Sequence, residues 1–182
     1  IVPAFNAAQT IARTLSSVFA QTHAKLEVLV VDDGSTDSTA QIVATMARTE
    51  PRLRLIRQPN SGVAKARNAG LHQACGRYTA WLDADDLWHP TKIEKQLRMF
   101  EQDLPVPLTF VYTGYRLIDP ADRIIANHRT LVDVSGPTVC QQIASNHFSN
   151  VSSIMVPTDL ARQFGGHEPE LQALGIEGAE DL

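Results

Sequence analysis

The chain has 182 residues, 43% of them hydrophobic and 20% charged, which are the values of one globular domain and not of a disordered segment. A formal net charge of −4 with no basic stripe argues against nucleic acid as a partner, because nothing offers a phosphate-tracking surface. No apolar stretch approaches the ~20 residues of a membrane span, and Cys75 and Cys140, far apart in apolar surroundings, are expected to be buried thiols and not a disulfide.

Ile1-Val2 reads as the end of an apolar strand, followed by the loop Pro3-Ala4-Phe5-Asn6. Ile11, Leu15, Val18 and Phe19 then recur at helical spacing. A second strand is expected over 26–31 and a helix over 37–48, with Ile42, Val43 and Met46 inward. A third short strand occupies 53–57. Gly62 opens a helix whose apolar face is Val63, Ala66, Ala69 and Leu71. Strand 78–82 precedes a helix from Pro90 to about Gln102, with proline well placed at a helix start. Beyond Pro105 the rhythm changes: strands at 109–113 and 123–126 flank a turn at Asp119-Pro120, then come a helix near 136–145 and a strand at 153–156.

Strand and helix alternate four times, the mark of a mostly parallel sheet covered on both faces. One α/β domain over 1–182 is expected. The chain reads as cut at both ends, since it begins inside a strand and stops at Glu180-Asp181-Leu182 with no closing element, and no signal peptide is read.

Two acidic turns stand out in this frame. Trp81-Leu82-Asp83-Ala84-Asp85-Asp86 places carboxylates just past strand 78–82, at the sheet edge where open α/β folds bind ligands. Asp83 and Asp85 can face a common point, and such oxygen ligands suit a hard divalent cation that also holds substrate phosphates; a solvated acidic turn before Pro90 would look the same. Strand 26–31 runs likewise into Asp32-Asp33-Gly34-Ser35-Thr36-Asp37. Ser35, Thr36 and Asp37 suffice to cap the next helix, which leaves the Asp32-Asp33 pair for another use.

Four ordered segments resemble the successive motifs of family 2 glycosyltransferases: Val2-Pro3-Ala4-Phe5-Asn6, Val30-Val31-Asp32-Asp33-Gly34-Ser35-Thr36-Asp37, Asn60-Ser61-Gly62-Val63-Ala64-Lys65-Ala66-Arg67-Asn68 and Leu82-Asp83-Ala84-Asp85-Asp86. The resemblance implies a GT-A (Rossmann-like) fold and an inverting transferase that moves a sugar from a nucleoside diphosphate, expected to be UDP, to a carbohydrate or lipid-linked hydroxyl acceptor. It implies a donor-binding half over about 1–104 and an incomplete acceptor-side half over about 105–182. Pro3, Ala4, Phe5 and Asn6 would lie along the base, and Asp33 would accept a hydrogen bond from its imide. Arg67 would sit nearby. Asp83, with Ala84 beside it, would face the ribose, and Asp85 would ligate Mg²⁺ or Mn²⁺. The family usually has a hydroxyl residue where Ala4 stands and often Tyr where Phe5 stands, so those side-chain hydrogen bonds are lost while stacking by Phe5 survives. Gly178-Ala179-Glu180-Asp181 resembles the motif that carries the catalytic base; Asp181 is assigned that role, with Glu180 as the alternative. A cytoplasmic location, with peripheral association at the inner membrane face through segments outside this chain, is the matching expectation.

The remaining polar residues are assigned less. The six histidines show no metal-ligand spacing, with His147 and His167 as candidates for the acceptor side; Trp88 could border the sugar and Lys65 a phosphate. Three other functions compete with this one. A phosphorylation receiver needs a lysine after a later strand, but the last lysine is Lys95. A sugar nucleotidyltransferase needs a glycine-rich basic loop, and the loop after Val2 has no glycine. A non-catalytic nucleotide-sugar binder is kept open by Ala4.

Overall fold

Runs of valine and leucine decide the middle of the sheet. In the computed structural model, which describes residues 1–128 and 150–167, Val2–Ala4 forms β1, Val28–Asp32 forms β2 and Leu53–Arg57 forms β3. They pair in parallel in the order β1-β2-β3, with Val30 opposite both Val2 and Leu55. Every residue of β1 and β2 is buried, as parallel strands covered on both faces require.

Successive side chains leave a strand on opposite faces. Val2, Ala4, Val28 and Val30 pack against Ile11, Leu15 and Val18 of α1 (Ile11–Phe19) and Val43 of α2 (Thr39–Met46). Ile11 and Leu15 are fully buried, each contributing about 1.5–3 kcal/mol of hydrophobic stabilisation. The other face is covered by α3 (Val63–Gln73) at close range: a Cβ on Gly70 would stand 2.5 Å from Ile1 Cγ2. The inward stripe of α3 is Ala64, Ala66, Arg67, Gly70 and Leu71. This corrects the expected apolar face, because Val63 and Ala69 are only half-buried. Small residues permit the close approach, and Arg67 occupies an inward position that a hydrophobic pattern passes over.

Next to β1 lies β4 (Tyr78–Ala80). The Ile1 amine donates to the Ala80 carbonyl (2.8 Å) and the Leu82 N–H to the Ile1 carbonyl (3.0 Å). After β4 come α4 (Lys92–Phe100), β5 (Tyr115–Ile118) and β6 (Ile124–His128), and then β7 (Met155–Pro157) and α5 (Thr158–Gln163). β7 pairs antiparallel with β4, so the sheet is mixed at this edge.

Three expectations need correction here. The hairpin around Asp119-Pro120 is made by β5 and β6 and not by 109–113, where Val111 alone bridges Met155. A β-prone sequence forms a strand only where a partner edge is offered, and β7 is three residues long. The strand expected over 153–156 begins only at Met155, because Val151–Ser153 is a single 3₁₀ turn. Cys75 is an exposed thiol and not a buried one. The helix expected near 136–145, together with Cys140 and His147, lies outside the described residues. Among those described, no helix is long and apolar enough to cross a membrane.

Candidate functional site

The carboxyl ends of β1, β2 and β4 open onto one cavity of about 680 Å³. Its wall includes Pro3 and Ala4, which belong to β1 and not to the expected loop, Phe5 and Asn6 from the first loop, Asp33 from the second, and Asp83, Ala84 and Asp85 from the third. Arg67 stands behind this wall with only 4% of its surface exposed, and its Nη2 donates to Asp83 Oδ1 at 3.0 Å. Eight candidate residues from three strand ends and the loops after them therefore meet at one place, with Arg67 bonded to one of them. Glu180 and Asp181 lie outside the described residues.

Each loop is held by its own sequence chemistry. Asn6 takes a positive φ of 50°, which asparagine tolerates. Its Oδ1 accepts the Thr36 N–H (2.9 Å), while its own N–H donates to Ser35 Oγ (3.0 Å). Ala8 N–H donates to Asp37 Oδ2 (3.1 Å) and Ala7 N–H to Thr39 Oγ1 (2.8 Å). The hydrogen bond from the Thr39 hydroxyl to Asp37 holds that carboxyl below its usual range. The loops after β1 and β2 thus form a single laced unit, and Phe5 is left 52% exposed on its rim.

Asp32 and Asp33 are less available than their sequence context implies. Asp32 is fully buried; it accepts Ser35 N–H (3.2 Å) and the Arg57 Nε–H (3.1 Å). Asp33 Oδ1 accepts from Gln58 Nε2 (2.7 Å) and Ser61 N (2.9 Å), and Oδ2 accepts from Gly62 N (2.9 Å). It therefore satisfies the first backbone donors of α3, an end where an anion is favoured. Gly62 sits at φ 93°, a conformation other side chains resist.

The third loop leaves β4 with Trp81 and Leu82 buried, and its backbone turns through an Asp86 N–H to Asp83 carbonyl bond of 3.1 Å. Asp83 is 39% exposed and Asp85 is exposed; no hydrogen bond or ion pair engages the Asp85 carboxylate among the described residues. Among those residues no group of three or more His, Cys, Asp or Glu forms an all-protein cage for a metal. Two carboxylates at a cavity roomy enough for phosphates nevertheless fit Mg²⁺ or Mn²⁺, whose remaining ligands are waters and substrate oxygens.

Other assignments move. Trp88 does not line the cavity; its indole donates to the Ser152 carbonyl (2.9 Å) and carries the Lys92 ammonium over its face at 4.3 Å. Lys65 points from the exposed side of α3. His167 is buried edge-on against Trp81, ring centroids 4.9 Å apart, with both its backbone groups bound by the Asn68 amide. Gln9, Thr10, Asn60 and Val63 line the cavity without having been singled out; Asn60 and Val63 stood inside a quoted motif, whereas Gln9 and Thr10 carried no signal beyond proximity to α1.

A parallel sheet whose strand ends carry aspartates around an open crevice is a Rossmann-like, ligand-binding α/β fold. Residues 1–134 match the model of Glycosyl transferase family 2, and the chain belongs to that family. It is 35% identical over 147 residues to the chondroitin synthase of Pasteurella multocida (strain Pm70), covering 81% of this chain and 15% of the synthase. The chain thus spans a small part of that relative's length. Two solved structures share the fold, which is the GT-A arrangement. S. aureus TarS 1-349 in complex with UDP aligns with TM-score 0.66 at 22% identity, over 99% of this chain and 52% of that one. Mannosyltransferase PcManGT from Pyrobaculum calidifontis, in complex with GDP-Man and Mn²⁺, aligns with TM-score 0.64 at 23% identity, over 93% and 46%.

Proposed function

We propose that the chain is the donor-binding half, with part of the acceptor side, of an inverting glycosyltransferase that moves a sugar from UDP to a hydroxyl on a growing polysaccharide or glycolipid. The convergence of Asp33, Asp83 and Asp85 on one cavity carries this reading. It is supported by a relative named as a chondroitin synthase and by fold neighbours solved with UDP and with GDP-Man and Mn²⁺.

In this proposal Phe5 stacks on the base above the backbone of Pro3 and Ala4, with Asn6 fixing the loop. Three of the roughly four acceptor positions of the Asp33 carboxylate are filled. One position remains for a base N–H, which suits the single imide of uracil better than the paired donors of guanine. Asp83, steadied by Arg67, faces the ribose, and Asp85 with the diphosphate holds Mg²⁺ or Mn²⁺. Such a cation, when bound, supplies Lewis-acid stabilisation of the departing diphosphate. Asp181, or Glu180 in its place, takes the proton from the acceptor hydroxyl as that oxygen attacks the anomeric carbon and the bond to the diphosphate breaks. Residues 1–104 then serve the donor and 105–182 the acceptor. A cytoplasmic location beside the inner membrane face belongs to the same proposal.

The test is a thermal-shift panel of nucleoside diphosphates and their sugars, with and without Mn²⁺. UDP with Mn²⁺ should raise the unfolding temperature most. A protein indifferent to every nucleoside diphosphate would end the proposal. In a chain that turns over substrate, Asp181→Asn should spare donor binding and suppress transfer.

A further inference from the structure

Beyond its one internal bond, Asp86 N–H to the Asp83 carbonyl, the loop 83–88 is held from outside. Asp83 N–H donates to Ser152 Oγ (3.0 Å), and the Trp88 indole N–H donates to the Ser152 carbonyl (2.9 Å). Asn150, whose Oδ1 accepts the Ser152 N–H at 2.8 Å, reaches Asp86 Oδ2 through its Nδ2 at 3.4 Å. From the other side Thr14 Oγ1 donates to the Ala84 carbonyl (2.8 Å) and Ser17 Oγ accepts the Trp88 N–H (3.1 Å). Below, Gln96 Nε2 donates to the Ser153 carbonyl (2.9 Å), while its Oε1 accepts from the buried Lys92 (2.7 Å). Both ends of the loop are thus gripped by one residue, Ser152, distant in sequence and only 6% exposed. Asp85 is the aspartate of the loop that none of these bonds engages.

We infer that the turn 150–153, on the acceptor side of the chain by sequence, is structurally part of the diphosphate-and-cation site, and that Ser152 is a positioning residue for it. This rests on the function proposed above. Its hydroxyl fixes the backbone at Asp83 and its carbonyl fixes Trp88, so the direction in which Asp83 and Asp85 present their oxygens is set between those two points. Groups that orient metal-binding carboxylates typically cost 10–100-fold in metal affinity when removed. The low end applies here, since Ser152 acts on the backbone of Asp83 and not on a carboxylate. The base-binding loop is laced to 35–39 and makes no bond to Ser152, so binding of the nucleoside alone should be insensitive to it.

Calorimetry with uridine, and with UDP in the presence and absence of Mn²⁺, tests this on the wild-type protein, Ser152→Ala and Ser152→Thr. Ser152→Ala should leave uridine affinity unchanged and reduce the Mn²⁺-dependent gain in UDP affinity about 10-fold. Ser152→Thr, which keeps a hydroxyl, should restore the gain. An undiminished gain in Ser152→Ala, or equal weakening of uridine and UDP–Mn²⁺, overturns the inference while leaving the proposed function intact. Absence of any Mn²⁺-dependent gain in the wild-type protein overturns both. Should Ser152→Ala not fold, Ser152→Cys, which keeps the side chain's shape but accepts the Asp83 N–H only weakly, is read by the same criteria.

Discussion

Arg67 and Asp83 form an asymmetric pair: a guanidinium 4% exposed holds, at 3.0 Å, a carboxylate that is 39% exposed. Removing one partner of a fully buried pair costs about 3–5 kcal/mol because a charge is left stranded. Here water reaches Asp83, so Arg67→Met should cost only about 1–2 kcal/mol in denaturant unfolding. The functional loss should be larger, since the Arg67 guanidinium no longer orients the Asp83 carboxylate at the cavity wall. Calorimetric affinity for UDP should fall about 10-fold, the scale of a supporting group removed from a binding carboxylate; an unaltered affinity would show that Asp83 needs no help from Arg67.

Asp33→Asn probes a carboxylate that serves two masters. Turning the amide oxygen toward Gln58 and Ser61 leaves the NH₂ facing the Gly62 N–H, donor against donor. A stability loss of about 1–3 kcal/mol is expected from that unsatisfied contact. Nucleoside binding should weaken as well, because the start of α3, which forms the cavity wall at Gly62 and Val63, is displaced. Uridine titration together with urea unfolding measures both; a variant of full stability would mean that α3 caps itself.

These two cases also mark how far the sequence could be read. The strand at 53–57 is legible from the apolar Leu53, Leu55 and Ile56, and the meeting of the acidic turns from apolar runs that end in aspartate, a local signal with one global solution. Asp32 and Asp33 were expected to be spare, and they are instead bonded to Ser35, Arg57 and the start of α3. Nothing local announces such tertiary bonds. The inward face of α3 differs from its apolar pattern for a related reason: a buried arginine interrupts the pattern, and a partner such as Asp83 explains it. Trp88 and Ser152 find each other across 64 residues, a separation no motif encodes. The hairpin was shifted because Arg116 interrupts the apolar run of β5, whereas 109–113 looks like a strand but has Met155 alone to pair with.

Asp85→Ala should separate function from stability. Its carboxylate has no bonded partner among the described residues and sits at the exposed end of the loop, so unfolding free energy should change by no more than about 0.5 kcal/mol. Mn²⁺-dependent tightening of UDP binding should vanish while metal-free binding of uridine persists. Retention of the Mn²⁺ effect in Asp85→Ala would move the cation to Asp83 alone.

Lys92 gives the fold a pH signature. Burial lowers its ammonium from 10.5 to about 7, even though the Trp88 face at 4.3 Å and Gln96 Oε1 at 2.7 Å both favour the charged form. The unfolded chain keeps its lysine protonated up to about pH 10.4. Between about 7 and that value the unfolded state therefore binds more protons than the native state, and stability rises with pH. Below pH 7 both states are protonated, the desolvation cost is fully present and this contribution is flat. The slope from one proton cannot exceed about 1.4 kcal/mol per pH unit. Urea midpoints of the wild-type protein should climb from pH 7 to 9, and Lys92→Met, similar in length and uncharged, should climb less. Parallel curves for the two proteins would show that the buried amine keeps its proton, held by Trp88 and Gln96 against the cost of burial.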